Sequence, residues 1–216
     1  MYVGLIVLGA FVILTIFGVF RRLLAKWEIN EPLAVLVSLL MFGGVLITPI
    51  NIGGAFVFSI GGFLIPFLVC VALLVRAEGY EVARTLVASV IIGIVSAVLR
   101  YYFPLEHYMV AVDSGLFVGI IAGGIAFLMG RSRRGAFVSA ALGVMLTNVF
   151  LFLYYLGQGL EYPIVVGVGA QFSAIVVAAV SAAIIAEVAG EIMEYKRRGE
   201  TDVMFMNIDE FVNTFE

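Results

Sequence analysis

The chain has 216 residues, of which 63% are hydrophobic and 12% charged, and its net charge is −3. Soluble domains are about 45–50% apolar and about 25% charged, so the composition excludes a water-soluble globular domain. The basic residues lie in the gaps between apolar segments, which leaves no basic face for nucleic acid. The bilayer itself is therefore the expected partner of most of the surface.

Seven apolar segments follow one another along the chain, and each is close to the ~20 residues that a membrane-spanning helix needs. The predicted spans are Tyr2–Phe20, Pro32–Pro49, Ile52–Val75, Thr85–Phe103, Met109–Gly130, Ala136–Leu156 and Pro163–Ala186. The first has no basic residue before it and no A-x-A-like site after it, so it is expected to be a retained span. We predict an all-α, polytopic bundle of about seven transmembrane helices in the cell membrane.

The second and third spans form one long apolar stretch that is interrupted only around Pro49 and Gly53-Gly54. Proline lacks a backbone donor and glycine weakens a helix. A tight hairpin between two spans explains this interruption. The alternative is a broken or re-entrant helix, which lipid tolerates only where protein or a water-filled cavity buries the loose backbone.

The basic residues are distributed unevenly over the gaps between the predicted spans. The first, third and fifth gaps and the tail contain Arg21, Arg22, Lys26, Arg76, Arg84, Arg131, Arg133, Arg134, Lys196, Arg197 and Arg198. The N-terminus and the even gaps contain only Arg100. Short loops rich in Lys and Arg stay in the cytoplasm. The pattern predicts an external N-terminus and a cytoplasmic C-terminus.

Small residues recur at every fourth position in several spans. They are Ser89, Gly93 and Ala97; Gly115, Gly119 and Gly123; Ser139, Gly143 and Thr147; and Ala170, Ala174, Ala178, Ala182, Ala186 and Gly190. This spacing places them on one helix face and lets neighbouring backbones approach closely, which is how helices associate in lipid. The faces serve either packing within one bundle or a homo-oligomer interface.

Isolated polar residues at or within the outer half of the spans are the candidate functional residues. They are Asn51, Arg100, Asp113, Asn148, Gln171 and Ser173. Asn148 and Gln171 both lie about eight residues from the outer end of their spans, roughly 12 Å deep. A charged residue inside a span is costly and is a functional candidate by default. Asp113 either pairs with Arg100 in a structural role or lines a polar cavity with Asn51, Asn148 and Gln171.

The segment after the last span divides the chain into a transmembrane bundle, residues 1–198, and a short cytoplasmic tail, residues 199–216. Asn207 and Glu210 resemble a capping box. Met204, Ile208, Phe211 and Phe215 fall on one helical face. Three interpretations stay open for this acidic, amphipathic tail: docking on the bundle, binding of a partner protein, or disorder.

The inventory of reactive residues argues against an enzyme and gives no sign of a cofactor or a metal. An aspartyl dyad needs two intramembrane aspartates, and only Asp113 lies in a span. The one histidine, His107, lies in an outer loop, and the one cysteine, Cys70, lies inside a span. The sequence contains no H-E-x-x-H motif and no P-loop.

Three stretches together resemble an uncharacterised family of prokaryotic multi-pass membrane proteins, the domain of unknown function numbered 1614. They are Ile50–Ala55, the Ala136–Ser139 stretch with Leu142-Gly143, and Val166–Phe172, in the family's order over roughly residues 45–186. The resemblance implies a polytopic membrane fold and no assigned activity. Acidic residues often follow the second and third motifs in that family, whereas this chain has Asn148 and Ser173, so it looks like a divergent member.

Two functions follow from these observations. The first is binding or transport of a small solute or ion through a polar site in the outer half of the bundle. The second is a non-catalytic scaffold or assembly protein that acts through its small-residue faces and its C-terminal tail. A transporter requires the polar residues of the last spans to face one another rather than the lipid.

Overall fold

The structure is a computed structural model that describes residues 2–17, 30–54, 56–102, 114–130, 132–160 and 163–213. Within these residues the chain is mostly helical. Its α-helices are α1 (Tyr2–Ile16), α2 (Glu31–Leu46), α3 (Ile65–Val75), α4 (Gly79–Tyr102), α5 (Ser114–Gly130), α6 (Arg133–Gly157) and α7 (Ala170–Asn213). A π-helical turn, Ile60–Leu64, leads directly into α3, and three short strands are β1 (Ile50–Ile52), β2 (Phe56–Phe58) and β3 (Ile164–Val166).

Three of the helical segments are long and apolar enough to cross a membrane: Gly79–Tyr102, Arg134–Gly157 and Ala170–Ile192. The other apolar helices are shorter over their described residues. Large apolar side chains such as Leu36 and Leu39 of α2 are more than half exposed on the protein surface. Apolar exposure of this extent indicates that lipid is the solvent of these faces, so the chain is a membrane protein.

The four helices α4 to α7 form the core of the bundle, and their small residues set the contacts. A Cβ at Gly93 of α4 would lie 3.0 Å from the carbonyl oxygen of Gly143 of α6. A Cβ at Gly119 of α5 would lie 2.8 Å from the side chain of Val177 of α7. Four alanines of the α7 face are buried: Ala174, Ala178, Ala182 and Ala186. These small-residue faces therefore pack within one chain, as the first of the two interpretations predicts.

Helices α1, α2 and α3 pack against one side of this core. Helix α1 lies along α7, and the Gly4 amide in its first turn donates to the Ser173 hydroxyl at 3.1 Å. The first amides of a helix have no partner within the helix, so Ser173 supplies one. Helix α2 contacts α1 and the π-helical turn, and α3 contacts α6.

The three strands form one small sheet in the order β1-β2-β3. Strands β1 and β2 are antiparallel, with Asn51 opposite Val57, and β2 and β3 are parallel, with Val57 opposite Val165. Gly53 and Gly54 form the turn with φ values of +63° and +76°, a region that glycine adopts without strain. Two separate helices thus flank a β-hairpin, where the sequence left a hairpin or a broken helix open.

The sheet corrects two of the predicted helix boundaries. The third span was expected to begin at Ile52, but β2 and Ser59 precede the π-helical turn at Ile60. The seventh was expected to begin at Pro163, but β3 and a turn with Gly167 and Gly169 at positive φ come first. In both segments a neighbouring strand satisfies the backbone hydrogen-bonding groups, which removes the need for a helix.

The sheet lies next to two close backbone approaches. A Cβ at Gly44 of α2 would lie 2.7 Å from the Gly61 amide nitrogen, and a Cβ at Gly62 would lie 2.8 Å from the Gly167 carbonyl carbon. The Ser59 hydroxyl accepts from the Gly62 amide at 3.3 Å and begins the π-helical turn. We call the end of the bundle that carries the sheet, Arg100 and the first turn of α7 the sheet end.

Polar contacts at the opposite end connect α4 to the junction of α5 and α6. The Arg84 guanidinium donates from Nε to the Met129 carbonyl oxygen at 2.8 Å. The Ser132 hydroxyl donates to the Glu81 carboxylate, and it accepts from the Gly135 amide at 2.8 Å as the N-cap of α6. These contacts fix the α5–α6 junction against the first turns of α4.

Helix α7 continues far past the part that is apolar enough to span a membrane. It is about 66 Å long in total, of which Ala170–Ile192 accounts for about 35 Å. The helix passes through Gly199 without a break up to Asn213. The tail that was predicted to begin at residue 199 is, up to Asn213, the continuation of α7 rather than a separate helix.

Candidate functional site

Three polar side chains from three helices meet at the sheet end of the bundle. Arg100 lies in the last turn of α4, Asn148 lies in α6, and Gln171 lies in the first turn of α7. Arg100 donates from Nη1 to Asn148 Oδ1 at 2.9 Å, and Asn148 donates from Nδ2 to Gln171 Oε1 at 2.9 Å. We call these three residues the Arg–Asn–Gln cluster. The side-chain amide of Asn148 connects the other two members.

Backbone groups complete the hydrogen bonding of the two amides. Asn148 Nδ2 also donates to the Val165 carbonyl oxygen in β3. Gln171 Oε1 accepts from the Gly167 amide at 3.2 Å, and its Nε2 donates to the Val144 carbonyl oxygen at 3.4 Å. The cluster therefore ties the third strand and the turn that follows it to α6 and α7.

The hydrogen bonds of Asn148 and Gln171 matter for stability because both side chains are buried. Asn148 and Gln171 are each only 4% exposed, and a buried polar group without a partner costs about 1–3 kcal/mol. Neither side chain points to the lipid, so the structure contains the inward arrangement that a polar site requires. Arg100 is half-buried and brings a positive charge to the cluster.

A small cavity borders the cluster. Its volume is about 10 Å³, and its wall is formed by Arg100, Val118, Val144, Thr147, Ala170, Gln171 and Ala174. This is close to the least space that holds one water molecule. The polar groups on its wall come from Arg100, Gln171 and Thr147, and helices α4 to α7 all contribute residues. The cavity is suited to a water molecule or a single small ion in this conformation.

Two of the candidate residues lie elsewhere. Asn51 is exposed in β1, and its Oδ1 accepts from the Gly54 amide at 3.0 Å, so it stabilises the hairpin turn and does not line the cavity. Ser173 is fully buried and binds the Gly4 amide. Because Ser173 is two residues after Gln171, the two side chains point to different faces of α7.

Asp113 lies outside the residues that the structure describes. Its pairing with Arg100 and its place in a polar cavity both stay predictions. The Arg100 guanidinium has five donors, of which Nη1 donates to Asn148 Oδ1.

The sequence did not indicate the backbone partners of the cluster. Val165 and Gly167 were assigned to a helix, in which their polar groups would have been used internally. Gly167 has a φ of +72°, which is typical of a turn. The pattern V-G-V-G at Val166–Gly169 fits such a turn as well as a helix that is rich in glycine. Thr147 belongs to the small-residue face of α6, and it also lies on the cavity wall.

Among the described residues, no group of three or more His, Cys, Asp or Glu side chains is placed to hold a metal ion. Comparisons with protein-family models, with curated proteins and with solved structures found no match to this chain.

Proposed function

We propose that this protein binds a small anion at the Arg–Asn–Gln cluster and carries it across a membrane. The observation that supports the proposal is the hydrogen-bonded cluster of three polar side chains from α4, α6 and α7, of which Arg100 and Gln171 line a small cavity. Cationic arginines that line a passage favour anions. The role of Arg100 is to provide the positive charge, while Asn148 and Gln171 hold the cavity wall in place.

The proposal includes a topology. In it the chain crosses the cell membrane about seven times, with an external N-terminus, so that the Arg–Asn–Gln cluster lies in the outer half of the bundle. The proposal also includes membership of the uncharacterised family named above, and it contains no catalytic step. The distribution of Lys and Arg over alternate gaps supports this orientation.

In this proposal the cavity of about 10 Å³ corresponds to a closed state. Passage of an ion then requires a movement of the helices around the cluster. The small-residue contacts of α5 with α7 and of α4 with α6 support such a movement, because smooth faces can slide with little change of side-chain packing.

Anion flux through proteoliposomes tests this proposal. Vesicles that contain the protein are loaded with chloride, nitrate or formate, and release is followed by an ion-selective electrode or by an enzymatic assay. We expect release above that of protein-free vesicles for at least one anion, and a loss of at least tenfold in Arg100→Gln. Arg100→Lys should retain part of the activity because the charge is kept.

Arg134→Gln is the matched control, because it removes the same charge at the opposite end of the bundle, where α6 begins, and should leave the flux unchanged. Flux equal to that of protein-free vesicles for all three anions would overturn the proposal. Flux in Arg100→Gln equal to wild type would do so as well.

A second function, assembly with a partner protein, is favoured by the length of α7. The helix continues without a break for about 30 Å beyond Ile192, so this segment does not fold back over the bundle. Met204, Ile208 and Phe211 share one face of this helix in the sequence pattern. An amphipathic helix of this kind is a common recognition element.

Deletion of residues 200–216 separates the two functions. If the assembly role is correct, the truncated protein should lose a partner that wild type retains in a crosslinking pull-down from its native membrane. Its thermal unfolding in detergent should stay within a few degrees of wild type, because the bundle ends before the deletion. An unchanged set of partners would argue against the assembly role.

A further inference from the structure

A second, much larger cavity lies on the other side of the bundle from the Arg–Asn–Gln cluster. Its volume is about 410 Å³, within the range of 300–1,000 Å³ that is usual for ligand sites. Helices α1, α2, α3, α6 and α7 all contribute to its wall. The wall is apolar except for Ser38 and Arg76, and the Ser38 hydroxyl already donates to the Ala34 carbonyl oxygen at 2.9 Å. We call it the α2–α3 cavity.

The α2–α3 cavity exists because α2 and α3 meet at one end only. At the sheet end the helices are held together where Gly44 touches Gly61. Farther along, α2 and α3 have few contacts. The cavity occupies this space, and its floor consists of buried α7 residues such as Val176 and Ala179.

The mouth of the cavity is apolar and exposed. Leu33 and Leu40 on α2 and Leu68 on α3 all line the cavity, and each is about half exposed. Exposed leucines at a helix surface of this protein face lipid rather than water. The α2–α3 cavity therefore opens sideways, towards the hydrocarbon of the membrane.

The length of the cavity matches one leaflet. It extends along the whole of α3, from Ile65 to Arg76, which is about 17 Å. Half of a hydrocarbon core of ~30 Å is about 15 Å. An acyl chain that enters at the Arg76 end would reach the bilayer centre near Ile65.

Arg76 provides the polar end of the site. It follows α3 as its C-cap residue, it is exposed, and it is the charged side chain on the cavity wall. A guanidinium binds a phosphate through two parallel hydrogen bonds. Apolar filling alone gives no preference among lipids, because lipid tails are as apolar as leucine. The charge of Arg76 is the feature that selects the headgroup.

We propose that the α2–α3 cavity is a binding site for one anionic phospholipid, with an acyl chain between α2 and α3 and the headgroup phosphate on Arg76. The site is separate from the Arg–Asn–Gln cluster and does not depend on anion transport. A tightly held lipid would act as a structural ligand that keeps α1, α2 and α3 packed on the core.

Native mass spectrometry of the detergent-solubilised full-length protein tests this proposal, with phosphatidylglycerol and phosphatidylcholine of the same acyl chains as probes. Wild type should bind one phosphatidylglycerol at least fivefold more tightly than phosphatidylcholine. Arg76→Gln should abolish this preference and leave phosphatidylcholine binding unchanged. Arg134→Gln is the matched control, because Arg134 does not line the cavity, and it should keep the preference.

A second variant tests the acyl-chain part of the site. Ala72 lines the cavity and is exposed, so Ala72→Phe should fill the opening and lower the affinity for both lipids at least fivefold. Val71→Phe adds a ring of the same size to a neighbouring position that does not line the cavity, and it should bind lipid as wild type does. Size-exclusion profiles establish that each variant is folded.

The proposal is overturned if wild type shows no preference for phosphatidylglycerol, or if Arg76→Gln keeps that preference. It is also overturned if folded Ala72→Phe binds both lipids as tightly as wild type. If Arg76→Gln and Arg134→Gln lose the preference for phosphatidylglycerol equally, the preference comes from the overall positive charge at this end of the bundle. That result would also overturn the α2–α3 cavity as the binding site.

Discussion

Gly62→Ala should destabilise the folded protein by about 3 kcal/mol, the upper part of the range for overpacking of a close contact. A Cβ at Gly62 would lie 2.8 Å from the carbonyl carbon of Gly167 and 3.0 Å from its Cα, and it would meet the carbonyl oxygen as well. These atoms are backbone, so no side chain can rotate away. Gly167 itself is at a φ of +72° and is held by Gln171.

The measurement is equilibrium unfolding in mixed micelles, followed by circular dichroism as the denaturing detergent is increased. Gly43→Ala is the matched control. Gly43 lies in α2 and a Cβ there would meet nothing within 4 Å. Alanine is favoured over glycine in a helix by roughly 0.5–1 kcal/mol, so the control should be as stable as wild type or slightly more stable. Equal stability of Gly62→Ala and Gly43→Ala would show that the two backbones are not in contact.

The second large effect is expected at the centre of the Arg–Asn–Gln cluster. Asn148→Leu removes the acceptor of the Arg100 guanidinium and the donor to Gln171 and the Val165 carbonyl group. Intact hydrogen bonds between membrane helices contribute only ~0.6 kcal/mol on average. Groups left buried without a partner cost about 1–3 kcal/mol, and more when charged. We therefore expect a loss of about 3 kcal/mol in the free energy of unfolding.

The same unfolding assay with a double mutant distinguishes the loss of the hydrogen bond between Arg100 and Asn148 from a simple loss of packing. In Arg100→Leu/Asn148→Leu both partners are apolar, and such a pair can be nearly neutral. The double mutant should be more stable than Asn148→Leu alone. Thr15→Val is the control for a buried hydroxyl, because the Thr15 hydroxyl donates to the Phe11 carbonyl oxygen of its own helix at 2.7 Å. It should change stability by less than about 1 kcal/mol. A double mutant no more stable than the single one would show that the lost hydrogen bond to Arg100 does not account for the destabilisation.

The depth of polar residues in the sequence was enough to bring two members of the cluster together. Asn148 and Gln171 were counted from the ends of their spans, and a helix converts that count into depth at a fixed rise. Whether Asn148 and Gln171 face one another is a separate question, because it depends on the orientation of α6 and α7 about their own axes. The small-residue faces of α4 to α7 indicate this orientation, because helices in lipid pack through such faces.

The sheet could not be foreseen in the same way. Its strands have three residues each, and a period of two cannot be recognised over so few positions. Asn51 was placed with the polar site because of its depth. An asparagine before Gly53-Gly54 instead bonds to its own turn, a local contact that competes with any distant one. The chain has 24 glycines. Their positions in the sequence do not show that the backbones of Gly62 and Gly167 are in contact.

The parallel pairing of β2 with β3 sets an order of assembly. Val57 pairs with Val165, so the first hairpin is synthesised well before its third strand, with α3 to α6 in between. Pairing between segments this distant in sequence is slow, because a large loop has to close before any contact forms. Until then the open edge of β2 has unmet backbone donors and acceptors, which hydrocarbon does not tolerate. The sheet is therefore completed only after α3 to α6 have been made, when β3 pairs with β2 and leads into α7.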